Sequence, residues 1–421
     1  MISKALKLLL LSAASLLFLL SFGLGFIYLQ NLFAYNTIAT YETWASLGLA
    51  DAKYRLALSY IKGGVLKKDI PKALELLTEA SDQNHSKALI ELGVLYFEGK
   101  EVQKDEEKAL RYFEKAASLN DSQGVFNLGI MYQFGYGTDQ NFEKAYSLYE
   151  QSEKMDNPDA SLKLGGMNYN GVGRKADVNK AFSHFLKGAE KGNATAQYWV
   201  GWYYELGEGD IDIDYKTAYE WYKKSADQNS PDGLYMLGNL YFWGHGVDQD
   251  YLKSGEYYTR AAAIGDTKAI DFLNSQKEFC QTETKNRRVK NALISCFIAA
   301  STRDPASMHA VGFAYHAGLM NLKRSYENAF SWFLPCAEYG YAPCQVSVAS
   351  FYKNGSGVEK NPIEAYAWLS AAVNSKDLGD MERRLSEVMI KIIYKDLTAD
   401  EKIKAEKKAR EYGQLYSKLP Q

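Results

Sequence analysis

Three residue types in this chain carry potential chemistry: paired glycines that could cradle a phosphate, histidines that could bind a metal or move a proton, and cysteines. The runs Gly135-Tyr136-Gly137, Gly171-Val172-Gly173 and Gly244-His245-Gly246 have the Gly-x-Gly spacing of a phosphate loop. A dinucleotide loop, however, follows a strand and opens a helix with its amides exposed. Here each run follows an apolar helical pattern and returns in every ordinary segment, so it reads as a helix-ending turn. Of the five histidines, His309 and His316 are the only close pair. Their spacing puts both on one helical face, yet no acidic third ligand lies in the same stretch, and a structural or surface role is the reading. The cysteines contain no Cys-x-x-Cys, which argues against a compact zinc turn. His-Glu-x-x-His, Gly-x-Ser-x-Gly and Gly-x-x-x-x-Gly-Lys are all missing. These residues name no reaction, no metal and no cofactor, and the chain reads as non-enzymatic.

The elements that position them come as an internal repeat. Leu92-Gly93, Leu128-Gly129, Leu164-Gly165, Val200-Gly201, Leu237-Gly238 and Val311-Gly312 mark one half of a unit that returns every 36 or 37 residues. Ala73, Ala109, Ala145, Ala181, Ala218, Ala292, Ala329 and Ala365 mark the other half. In Ser86–Asp121, the spacing of Ala88, Leu92, Leu95 and Tyr96 predicts a first helix with one apolar stripe. Glu98-Gly99-Lys100 ends it, and Asp105-Glu106-Glu107 open a second helix with acidic residues that complement its macrodipole. That helix buries Ala109, Tyr112, Phe113, Ala116 and Ala117, and Asn120-Asp121 turn the chain back. A hairpin this short cannot cover both stripes alone, so its neighbours complete the core. Repeats of this length stack into a solenoid, an architecture that offers surface rather than a reaction centre.

These residues resemble the Sel-1-like repeats, relatives of the tetratricopeptide repeats. The family pattern runs Ala-x-x-x-Leu-Gly-x-x-Tyr-x-x-Gly-x-Gly-Val, then Asp-x-x-Lys-Ala-x-x-Trp/Tyr-Tyr-x-x-Ala-Ala. Asn229–Gln249 with Tyr251–Ala263, and Ala342–Ala372, follow it closely. The resemblance covers about residues 50–377 and implies an all-α, right-handed α-solenoid superhelix of about nine two-helix repeats. The seventh unit, Thr267–Arg303, departs most: its first helix lacks the Leu-Gly pair and its connector, Thr282–Val289, lacks Gly-x-Gly. Its second helix, Asn291–Ser301, keeps the alanine register, and a local irregularity or bend is expected there.

By analogy with related helical repeats, the first helices line a concave face. Positions just after the Leu-Gly pair and one turn later would then meet a protein or peptide ligand: Val94, Phe97, Ile130, Phe134, Trp202, Phe242, Trp243 and Phe313. Groove aromatics bury much area at low entropic cost, which suits them as anchors. The competing reading is that each simply packs between units. Secreted, cysteine-rich members of the family carry a helix-linking disulfide at the separation of Cys336 and Cys344, so the resemblance implies that pairing. Cys280 and Cys296 flank the irregular connector, where a helical hairpin could join them. The alternative is four buried thiols, which cysteine tolerates. Disulfides agree with export from the cytosol.

The ends and the charge complete the reading. Lys4 and Lys7 precede an uncharged apolar run from Leu8 to about Leu29, long enough to span a bilayer. Residues 1–35 therefore read as a signal anchor or a signal peptide; the anchor is favoured because Phe26-Ile27-Tyr28-Leu29 continue past the small-residue sites at Ser21–Gly25. Residues 36–49, with Trp44 and Ala45 in register, read as an N-terminal capping helix, and 378–421 as C-terminal capping helices, Thr398 and Glu401 having capping-box spacing. The expected location is a bacterial inner membrane with residues 36–421 in the periplasm, or, after cleavage, the periplasm or beyond. A net charge of −2 offers no footprint for nucleic acid, and the cluster Lys285, Arg287, Arg288 and Lys290 reads as connector charge. The function expected is a protein-binding scaffold. Glycan binding through Trp202 and Trp243, or an enzyme of cell-wall or β-lactam chemistry, are the alternatives.

Overall fold

The computed structural model describes residues 37–416 apart from 286–288 and 320–321, with only the backbone of 285 and 289–292. The expected membrane segment and the basic side chains between 285 and 290 lie outside the described residues. Among the described residues every regular element is a helix, and none is long and apolar enough to cross a membrane.

The chain forms two compact bodies that meet in sequence at Asn193 and Ala194. The first holds α1 (37–46) and four hairpins: α2 (Ala50–Lys62) with α3 (Ile70–Asp82), α4 (Ser86–Glu98) with α5 (Glu106–Ser118), α6 (Ser122–Phe134) with α7 (Phe142–Lys154), and α8 (Pro158–Asn170) with α9 (Val178–Glu190). The second begins with α10 (Ala194–Leu206) and α11 (Tyr215–Asp227), then α12 (Pro231–Trp243) and α13 (Tyr251–Ala263). It continues with α14 (Thr267–Lys285) and α15 (Val289–Ala300), α16 (Pro305–Ala317) and α17 (Tyr326–Glu338), and α18 (Ala342–Asn354) and α19 (Pro362–Ala372). Two longer helices follow, α20 (Asp380–Asp396) and α21 (Ala399–Tyr416).

Local signals set each boundary. Second helices open on a carboxylate or amide cap: Asp105 accepts from the Lys108 amide, Asn141 from Lys144 and Asp177 from Lys180. Such caps satisfy amides that the helix itself cannot. First helices close on a left-handed glycine, as Gly135 does after α6. The second glycine of each Gly-x-Gly has another duty. A Cβ on Gly137 would lie 2.5 Å from the Glu106 carbonyl oxygen at the start of α5, so the turn is pressed against the preceding unit. That contact explains the motif as packing rather than as a phosphate cradle. Asn84, Asn120, Asp156 and Asn229 adopt the left-handed turn between units that short polar side chains tolerate.

Neighbouring hairpins meet through small residues. A Cβ on Gly124 would sit 2.7 Å from that of Ala116, and one on Gly233 would sit 2.5 Å from Ser225 Oγ. Cys336 and Cys344 occupy the equivalent pair of positions and are joined by a disulfide, Cα to Cα 5.8 Å. The departures of the seventh unit are also structural. The connector expected from residue 282 is instead helical as far as Lys285, because α14 runs nineteen residues rather than the usual thirteen. Cys280 on the extended part bonds Cys296 on α15, Cα to Cα 4.9 Å. Both pairs are thus bridged, and the free-thiol alternative falls.

The caps differ in kind. Ala45 of α1 joins the first core, and Trp44 beside it is exposed. At the other end α21 packs on α19: Trp368 meets the rings of Tyr412 at 4.6 Å and Tyr416 at 5.5 Å. Glu364 accepts from Tyr412 Oη at 2.9 Å and from Lys408 Nζ. The capping box is closed, with the Thr398 amide donating to Glu401 at 2.9 Å and the Glu401 amide to Thr398 Oγ1 at 3.3 Å.

Candidate functional site

The residues with the most obvious chemistry are used for packing. His309 on α16 is partly buried, and burial pulls its imidazole down to about 4. Its Nε2 lies 3.3 Å from Ser347 Oγ on α18, and its ring packs against Phe333 and Tyr341. His316 sits instead among Phe313, Tyr326 and Phe351. The two rings serve different aromatic neighbourhoods. Among the described residues no group of three His, Cys, Asp or Glu is placed to hold a metal.

One polar cluster escaped the sequence reading. His184 Nδ1 lies 2.7 Å from Glu153 Oε1, and Lys187 Nζ 3.0 Å from Glu153 Oε2. On the other side of the imidazole, Nε2 lies 3.5 Å from Tyr146 Oη, which accepts from Asn168 Nδ2 at 3.1 Å. Arg174 stacks on the Tyr146 ring with its guanidinium carbon 3.0 Å from the centroid. Burial would raise the Glu153 carboxyl, but the hydrogen bonds from His184 and Lys187 outweigh it and hold it at about 2. A carboxylate, an imidazole and a phenol in series suggest a proton relay. Tyr146 and His184 are buried, however, so the cluster ties α7, α8 and α9 together instead of facing a substrate. The signal for it was faint: His184 is the one histidine carried by a second helix.

The eight first-helix positions divide into two groups. Val94, Phe97 and Ile130 are half-buried against one core, and Phe97 meets the Tyr136 ring edge-on at 5.1 Å. Trp202 and Phe242 are half-buried in another, with Trp202 5.5 Å from the Trp199 ring. For these five, packing between units is the observed state. Phe134, Trp243 and Phe313 remain exposed. Phe134 stacks on Tyr136 at 5.6 Å, and Trp243 stands edge-on to Phe242 at 4.7 Å. Phe134 and Trp243 are each supported by a half-buried neighbour, whereas Phe313 has the exposed His316 ring beside it at 6.4 Å. Of the two tryptophans that would serve glycan stacking, Trp202 is half-buried and Trp243 is exposed.

The geometry is that of a helical-repeat protein whose surface chemistry is aromatic. The chain belongs to the Sel1 repeat family: the repeat profile matches residues 50–85, 86–121, 122–157, 158–193, 194–230, 231–266, 305–341 and 342–377. The unmatched stretch between 266 and 305 is the disulfide-linked hairpin α14–α15. Chitin synthase regulator SKT5 of Saccharomyces cerevisiae is 30% identical over 117 residues, 28% of this chain and 17% of that protein. The ERAD-associated E3 ubiquitin-protein ligase component HRD3A of Arabidopsis thaliana is 36% identical over 58 residues, 14% of this chain and 9% of that one. The chain thus spans less than a fifth of the length of these relatives. Among solved structures, c5321, a protective antigen of uropathogenic Escherichia coli displaying an SLR fold, is 29% identical. That match covers 90% of this chain and 79% of the other, with a TM-score of 0.47.

Proposed function

We propose that this chain is a non-enzymatic scaffold that presents the concave side of a right-handed repeat superhelix to a protein or peptide ligand, on the periplasmic side of a bacterial inner membrane. The observation that carries the reading is the exposure of three large rings, Phe134, Trp243 and Phe313, on first helices. Large rings held rigidly at a surface lose little entropy on binding, which makes them effective contact residues. Two intramolecular disulfides suit an oxidising compartment, and the apolar run Leu8–Leu29 suits a signal anchor. The names of SKT5 and HRD3A describe a regulator and a ligase component, roles that act through other proteins.

A photoreactive residue at Phe313, cross-linked in cells and followed by mass spectrometry, tests the scaffold. Recovery of one or a few envelope proteins, lost when Phe134, Trp243 and Phe313 become alanine, is the expected result. The same set captured from a control site at Leu119 would overturn it. Protease added to spheroplasts should degrade residues 36–421; full protection would refute the location.

A further inference from the structure

The second body carries an apolar stripe of which the groove analogy singles out only Trp243. Leu206, Trp243 and Phe279 are each the thirteenth residue of a first helix, on three consecutive units. They are 52%, 63% and 48% exposed, although each is large and apolar. In the first body the same register position holds Lys62, Glu98, Phe134 and Asn170, three of them polar or charged. The feature therefore belongs to these units and is not a demand of the repeat. Ile213 widens it: its Cγ1 lies 2.8 Å from where a Cβ on Gly207 would be, and it too is exposed beside Leu206. Phe242 packs edge-on against Trp243 at 4.7 Å and reaches Phe272 of α14 at 6.0 Å, which ties α12 to α14.

The rim of the stripe is acidic. The connector after Leu206 holds Glu208, Asp210, Asp212 and Asp214 and no basic residue, and the one after Trp243 holds Asp248 and Asp250. Asp214 and Asp250 cap helices, while Asp210, Asp212 and Asp248 face solvent. Next to Phe279, Glu278 is exposed, and the nearby Lys277 is engaged by Asp304 at 3.2 Å.

Packed helices lie about 8–10 Å apart, and seven residues of an α-helix advance about 10.5 Å. One apolar contact per unit thus matches one apolar side chain every seventh residue of a ligand helix. We propose that Leu206, Trp243 and Phe279 dock a basic amphipathic helix of a partner protein, its lysines or arginines lying over the acidic connectors. This rests on the scaffold reading and specifies its ligand.

The test uses the full chain and a fluorescein-labelled 18-residue peptide with leucine at every seventh position and lysines flanking that face. Anisotropy should report saturable binding that weakens as salt rises. Trp243→Ala should weaken it about tenfold, as loss of an interface anchor does. The triple change D210K/D212K/D248K should remove the salt dependence. Leu119→Ala, which alters an exposed apolar residue of the first body, should leave binding unchanged. Both point variants alter exposed side chains, and an unshifted melting curve verifies their fold. Equal binding by a scrambled peptide, by a glutamate-for-lysine peptide or by a proline-interrupted one would overturn the proposal. So would failure of the ordered peptide to bind, or indifference to Trp243→Ala. If that happens while Phe313 still cross-links a specific client, the stripe is refuted and the scaffold stands; loss of both refutes both.

Discussion

A Cβ on Gly165 would lie 2.5 Å from Cδ1 and Cε1 of Phe185, a distance that real side chains do not tolerate. The Phe185 ring lies directly on the backbone of α8, and this contact closes the hairpin. The same relation joins Gly93 to Phe113, Gly129 to Tyr149, Gly201 to Tyr222, Gly238 to Tyr258 and Gly312 to Phe333. Two units break the rule together at both positions: Ala57 and Ala349 stand where the glycine would be, and buried Leu77 and Leu369 stand where the ring would be. Volume is conserved across the pair, not at either residue. In the seventh unit the ring position belongs to Cys296, and the hairpin is closed covalently to Cys280.

Gly165→Ala should therefore destabilise the first body by about 1–3 kcal/mol, the usual cost of overpacking. Gly165→Ala with Phe185→Leu recreates the pairing of Ala57 and Leu77. Urea midpoints should show the double variant more stable than the sum of the two single losses predicts. Strict additivity would sink the pairing argument.

The Glu153 cluster sets an acid limit. Its carboxyl is at about 2 in the fold against an ordinary value of 4.5. The stabilisation is complete above 4.5 and is lost as pH falls through 2, because the unfolded chain then binds the proton first. The ceiling is ~3 kcal/mol. Urea midpoints measured from pH 5 to pH 2 should fall less steeply for Glu153→Gln, which has no carboxyl to titrate.

The two disulfides should differ when removed. Cys336→Ala with Cys344→Ala puts there the alanine pair that Ala80 and Ala88 form in the first core, so the loss should stay near the loop-closure figure of about 2–3 kcal/mol. Cys280→Ala with Cys296→Ala removes the closure of a hairpin that has no ring at that position, and should cost more. Melting of both variants, beside the parent with and without reductant, gives the comparison. A larger loss for the 336/344 pair would contradict this account.

Asp177 is exposed and caps α9 through the Lys180 amide at 2.9 Å. Asp177→Ala should cost about 1 kcal/mol, and Asp177→Asn much less, since the amide oxygen can still accept. Equal losses in a denaturant titration would point away from capping.

The sequence alone determined the helical hairpins and their period, and the boundaries in the ordinary units, but not in the seventh, where the expected connector is helical as far as Lys285. Those follow from local chemistry that one turn of chain contains: the caps, the left-handed glycines and the spacing of Leu-Gly and alanine. It also marked the seventh unit as irregular, because the missing Gly-x-Gly is itself local. Tertiary structure decided which first-helix aromatics stay exposed. Trp202 and Phe313 both directly follow a Val-Gly pair, yet Trp202 is half-buried in its core while Phe313 stays exposed. Exposure at one register position depends on the side chains packed around it, which helical periodicity does not encode. The union of Glu153 with His184 was hidden for the same reason. Partners from successive second helices meet only when the hairpins stack, and no spacing within one hairpin announces them.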